Sequence, residues 1–213
     1  MCIRDSAILY ADDILLLSRS RLGLQSLFDS VEYELQWLCL NLNFSKSCCI
    51  RIGQRFEKSC ASIVTSDGSV IRWVDEVRYL GIFLIKARIF RCSLYHAKRA
   101  FNRAANCIIG RLGGVNSRNE QVCIQLIKSK CIAILLYGSE ACTLNKAQRS
   151  SLDFSVVKFA MKILRTSNRL QVINSLLMSN LTLPSVSVDI RYNRFLTKFH
   201  ASENLLCKEV LLL

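Results

Sequence analysis

Asp12 and Asp13 are neighbouring carboxylates set between two short apolar runs, Ala7 to Tyr10 and Ile14 to Leu17. Carboxylate oxygens are hard donors that suit Mg²⁺, or Mn²⁺ in its place. Held side by side on a tight tip, two of them repel each other until a cation arrives to relieve the repulsion. A pair of such cations serves in-line displacement at phosphorus. One lowers the pKa of the attacking hydroxyl and the other stabilises the leaving oxygens. An Asp-Asp pair alone also suits any solvated turn, so its meaning depends on the elements around it.

Two apolar arms around a polar tip predict a β-hairpin, since a buried helix of the same composition would carry two unpaired charges into an apolar stretch. Leu24, Leu27, Phe28, Val31, Leu35 and Leu38 recur at helical spacing and predict an amphipathic helix from about Ser20 to about Leu40. A polar turn from Asn41 to Ser47, carrying Lys46, leads into a predicted strand from Cys48 to Ile52. Ser62 to Thr65 and Ser69 to Trp73 flank Ser66-Asp67-Gly68, a hairpin signature. Val77 to Leu84 reads as a further strand, broken at Gly81. Beyond Ile85 the periodicity is helical. One stripe runs through Leu94, Phe101, Ala105, Ile108 and Leu112 and stops at Gly113-Gly114. A second contains Val122, Leu126, Ile127, Lys130, Ile134 and Leu135. A third, starting near Asn145, contains Leu152, Val156, Phe159, Ala160 and Ile163. Residues 167–213 read as helix and loop. The expected class is α+β, with an all-helical part following a boundary near Lys86.

The 213 residues carry a net charge of +13 and are 51% hydrophobic, enough for a core and basic enough to favour a polyanionic partner, nucleic acid before an anionic membrane surface. Between Lys86 and Lys130 there are ten Lys or Arg and one acid, Glu120. Lys98, Arg99 and Arg103 fall on neighbouring faces of one predicted helix, an arrangement that tracks phosphates. The plainer reading is a solvated helix face; the near-absence of acids favours phosphate. The eleven cysteines include no CxxC, and Cys39, Cys92, Cys107, Cys123 and Cys131 sit in apolar stretches, which predicts reduced, buried thiols rather than a disulfide framework. With only His96 and His200 to join them, no zinc site is expected. No secretory signal is evident, and the apolar run from Cys131 to Tyr137 is too short to span a bilayer.

Tyr10-Ala11-Asp12-Asp13, flanked by apolar arms and followed by a long helix, resembles the catalytic hairpin of reverse transcriptases. The Ala and the following Ile-Leu-Leu-Leu are more similar to non-LTR (LINE-type) elements and group II intron enzymes than to retroviral ones. Cys39-Leu40-Asn41-Leu42-Asn43-Phe44-Ser45-Lys46-Ser47 resembles the segment after the family's palm helix. There the lysine is thought to assist the leaving pyrophosphate as an acid, so the resemblance implies that role for Lys46; an exposed turn lysine fits the residues equally. Tyr79-Leu80-Gly81 resembles the primer-grip strand, with the glycine allowing close approach of backbone to primer, though a packed strand with a bulge also fits. Leu135-Leu136-Tyr137-Gly138-Ser139-Glu140-Ala141-Cys142 resembles a segment downstream of the thumb, with Cys142 where an aromatic is usual. The four motifs occur in family order across roughly residues 7–164.

The resemblance implies an RNA-directed DNA polymerase that uses Mg²⁺ or Mn²⁺, an RNA template, a DNA primer and deoxynucleoside triphosphates, within an intracellular ribonucleoprotein of nucleus or cytoplasm. It divides the chain into the C-terminal part of a palm (7–85), a helical thumb and connection (86–166) and a helical or irregular tail (167–213), while residues 1–6 read as a non-native leader from the abrupt change in character at Ala7. The family's third metal-binding aspartate and its fingers precede the hairpin, and no acid here is assignable to that position, so the fragment is expected to be inactive alone. A nucleic-acid-binding module without catalysis, and a decayed element-derived product, are the alternatives.

Overall fold

In the computed structural model, residues 6–112, 119–204 and 207–208 are described. The fold is mixed α+β, small sheets followed by helices. Contacts divide it into two compact units. One comprises the residues up to Val77 with Leu84–Phe90; the other comprises Arg78–Phe83 with the residues from Arg91 onward.

The first unit opens with β1 (Ser6–Tyr10) and β2 (Asp13–Leu17), an antiparallel pair in the register Tyr10↔Asp13 to Ser6↔Leu17. α1 (Arg21–Trp37) follows; the Ser20 hydroxyl caps it by accepting from the Gly23 amide, as the predicted start requires. β3 (Cys48–Cys49) is shorter than the strand expected to Ile52, and it pairs parallel to β5 (Val70–Trp73), with β4 (Ile63–Val64) antiparallel on the other side. The β4–β5 connection is the expected turn, with Gly68 at φ +82°. Phe28, Ile63 and Ile71 form the buried centre, and Leu16, Leu24, Leu42, Phe44 and Cys49 pack on it.

β4 is an edge strand two residues long, and an unpaired edge is a template for aggregation. Polar residues of α1 cover it. Arg21 donates to the Ser62 carbonyl at 2.7 Å; Gln25 accepts from the Val64 amide at 3.0 Å and donates to its carbonyl at 2.6 Å. Glu32, itself buried, accepts from the Ser66 amide and hydroxyl, both at 3.0 Å. The helix residues 21, 25 and 32 lie on one face, and residues 62, 64 and 66 are the alternate positions of an edge, so a helical period meets a strand period.

β6 (Glu76–Tyr79) and β7 (Ile82–Ile85) form a hairpin rather than one strand broken at Gly81. Leu80 (φ +46°) and Gly81 (φ +84°) are both left-handed, which a two-residue turn matched to strand twist demands.

In the second unit α2 (Tyr95–Arg111) buries Phe101, Ala105 and Ile109; its predicted Gly113-Gly114 stop lies outside the described residues. α3 (Glu120–Leu126) passes through a π turn, Ile127–Cys131, into α4 (Ile132–Leu135). The wider turn rotates the buried face onto Cys123, Ile127, Cys131 and Leu135 and leaves Val122 and Ile134 of the predicted stripe exposed. α5 (Lys146–Leu164) starts at a capping box between Asn145 and Gln148 and buries all five residues of its predicted stripe. The C-terminal stretch contains α6 (Arg169–Met178), capped by Asn168, and α7 (Pro184–His200), whose Ser185 amide donates to Asp153 of α5 at 2.8 Å.

The cysteine expectation is corrected. Cys92 and Cys142 are joined in a disulfide, their Cα atoms 6.4 Å apart, while Cys39 and Cys107 are exposed; Cys123 and Cys131 are buried thiols. Apolar neighbours in sequence do not determine which face of a helix or turn a cysteine occupies. Among the described residues, no helix is long and apolar enough to cross a membrane.

Candidate functional site

The Asp pair sits where the hairpin reverses. Ala11 and Asp12 are the two loop residues, closed by Tyr10 opposite Asp13. Ala11 has φ +50°, a left-handed conformation that costs a non-glycine residue of order 1 kcal/mol or more. Both carboxylates are exposed. Neither has a hydrogen-bond or ion-pair partner among the described residues, so both are available to a cation.

The donor set is nevertheless short. Among the described residues no group of three or more His, Cys, Asp or Glu could hold a metal ion. Two carboxylates can attract one hard cation but leave most of the octahedral shell of Mg²⁺ to water or to other ligands. The residues present do not fit a two-cation centre, and no catalytic step is derived through one.

Lys46 is displayed by a turn that Asn43 builds. The Asn43 side-chain oxygen accepts from the Lys46 amide at 3.2 Å and from the Ser45 hydroxyl at 2.7 Å; its carbonyl accepts from the Lys46 and Ser47 amides at 3.1 and 3.0 Å. The Asn-x-x-Lys spacing therefore has a local cause, a side-chain-stabilised turn. Leu42 and Phe44 anchor that turn on the same core as Leu16 of β2, so Asp13 and Lys46 belong to one packed body. The Lys46 side chain is exposed.

Tyr79-Leu80-Gly81 occupies the tip of the β6–β7 hairpin, not a continuous strand. The close approach at Gly81 is made by Tyr137. Its hydroxyl donates to the Leu80 carbonyl at 3.1 Å, and a Cβ on Gly81 would lie 2.9 Å from Tyr137 Cε1. Gly138, at φ +69°, faces Ile82 in turn, where a Cβ would meet Cγ2 at 3.1 Å. Two sequence segments 57 residues apart thus interlock, each needing a glycine opposite a side chain of the other. In the sequence Tyr137 and Asn43 stand out only as members of longer motifs, with no role assigned to either side chain. The available signals were two Gly-containing motifs without an evident turn partner and an Asn three residues before the lysine.

The basic helix divides its charges. Lys98 is half-buried and donates to the Ser151 hydroxyl of α5 at 2.9 Å, so it serves helix packing. Arg99 and Arg103 are exposed, with no ion-pair partner among the described residues. Phe83 stacks on His96 at 3.6 Å between ring centroids, and His96 meets Tyr95 edge-on at 5.4 Å.

Comparisons of the chain with protein-family models, with curated proteins and with solved structures give no match.

Proposed function

We propose that the chain is part of an RNA-directed DNA polymerase, a reverse transcriptase of the non-LTR retrotransposon type, comprising the C-terminal portion of its palm and a thumb-like helical region. In the intact parent, Asp12 and Asp13 would contribute to binding Mg²⁺ or Mn²⁺, Lys46 would act near the leaving pyrophosphate, and template, primer and deoxynucleoside triphosphates would be the partners. The observation that carries this reading is the turn at Ala11-Asp12. A left-handed Ala11 closes the reversal and leaves Asp12 in the two-residue loop and Asp13 at the first position of β2, both exposed and without partners among the described residues. A two-residue hairpin turn favours that conformation in its own right, as at Leu80-Gly81, so what supports the reading is the pair of exposed carboxylates without partners at the reversal.

A second reading, a nucleic-acid-binding module without catalysis, is favoured by one observation: the acids needed to complete a metal centre are absent among the described residues, whereas Arg99 and Arg103 are exposed on an acid-free helix. RNA-templated primer extension by this chain tests whether its donor set is partial. No extension with Mg²⁺ or Mn²⁺ is expected of a partial donor set. Extension that disappears in Asp12→Asn would mean that the chain completes the site unaided and would overturn the partial-site account.

A further inference from the structure

One face of α2 combines features that a general basic surface does not need. At 100° per residue Tyr95, Arg99, Asn102, Arg103 and Asn106 fall within one arc, about 16 Å long at 1.5 Å per residue. All five are exposed. The sequence from Ala87 to Asn119 contains no acid, so nothing along the helix neutralises the two arginines. Lys98 lies off this face, engaged with Ser151. At the far end Lys162 of α5 donates to Asn106 Oδ1 at 3.5 Å and adds a third cation to the row. At the near end Tyr95 is 62% exposed, and its edge-on contact with His96 leaves ring surface open to solvent.

We propose that this face binds single-stranded nucleic acid, with the Tyr95 ring stacking on a base and Arg99 and Arg103 engaging the phosphates beyond it. This deepens the nucleic-acid reading given above and rests on it. Phosphate attraction alone would require only the arginines and would serve a duplex equally. An exposed aromatic at the head of the row has a use when bases are unstacked and can offer a π face, which is the condition of a single strand. Asn102 and Asn106, each with an amide donor and acceptor, suit the hydrogen-bonding edges of such bases without fixing a sequence.

The test is fluorescence anisotropy of the full chain with labelled RNA and DNA single strands of about 12 nucleotides, and with the matching duplex, over a range of salt. Tighter binding of single strand than of duplex is expected. Tyr95→Ala should weaken single-strand binding about tenfold and leave duplex binding unchanged, with Tyr95→Phe restoring it. Arg99→Gln and Arg103→Gln should each flatten the single-strand salt slope by about 0.7. The ratio of RNA to DNA affinity assigns the natural ligand, and either preference supports the proposal. Equal or tighter duplex binding, or indifference to Tyr95→Ala, overturns it. Neither outcome touches the carboxylates of the hairpin, so the polymerase reading stands or falls separately.

Discussion

The Tyr137 hydroxyl donates to the Leu80 carbonyl at 3.1 Å while its ring lies where a side chain on Gly81 would have to go. The hairpin tip and the Tyr137-Gly138 segment are therefore one structural element made from two distant pieces of sequence. Gly81→Ala should be destabilising for two separable reasons: a left-handed φ of +84° and a Cβ 2.9 Å from Tyr137 Cε1. Urea unfolding should show a loss of about 2 kcal/mol or more, falling to about 1 kcal/mol in a Tyr137→Ala background where only the backbone penalty remains. An equal loss in both backgrounds would mean that the ring does not occupy that space.

The α1 cover over β4 makes a second expectation. Glu32→Ala removes a buried carboxylate that accepts from the amide and hydroxyl of exposed Ser66, which water can then serve, so urea unfolding should show a loss of roughly 0.5–1.5 kcal/mol. Gln25→Ala removes both bonds to Val64 and uncovers the strand edge. Its signature should be concentration-dependent association by light scattering, more than lost stability, because an open edge pairs with another chain. A Gln25→Ala protein that stays monomeric at high concentration would show that the edge needs no cover.

Cys49 gives a pH dependence. Burial pushes its thiol up from 9.0 to about 11, and the neighbouring Cys48 and Cys60, as thiolates, push the same way. The folded chain therefore holds that proton where the unfolded chain has lost it. The associated stability is complete below pH 9 and is lost as pH rises through about 11. Thermal melts across this window should fall less steeply in Cys49→Ala, and at neutral pH iodoacetamide should label exposed Cys39 and Cys107 before Cys49. Early labelling of Cys49 would contradict its burial.

What could be read from the sequence was whatever is fixed locally. The apolar arms set the β1–β2 register, Ser20 and Asn145 mark their helix starts, and Ser66-Asp67-Gly68 turns where expected. What could not be read depends on distant partners. Leu80-Gly81 looks like the middle of a strand because nothing nearby shows that Tyr137 sits against it. Cys92 and Cys142 are 50 residues apart and become a pair only through folding. The π turn at Ile127–Cys131 shifts a helical face by one residue, which a fixed period cannot represent. At the hairpin tip the residues were legible and the completeness of the site was not. Asp12 and Asp13 stand out in the sequence, but only the placement of every other described acid shows that none joins them.

On the proposed function, Asp12 and Asp13 bind a divalent cation as part of a larger donor set, and Mn²⁺ titration followed by paramagnetic broadening of backbone amide signals tests this. Weak, selective broadening is expected at Ala11, Asp12 and Asp13, reversed by excess Mg²⁺ and absent in Asp12→Asn/Asp13→Asn. Broadening spread evenly over all exposed acids, or unchanged in the double variant, would contradict it.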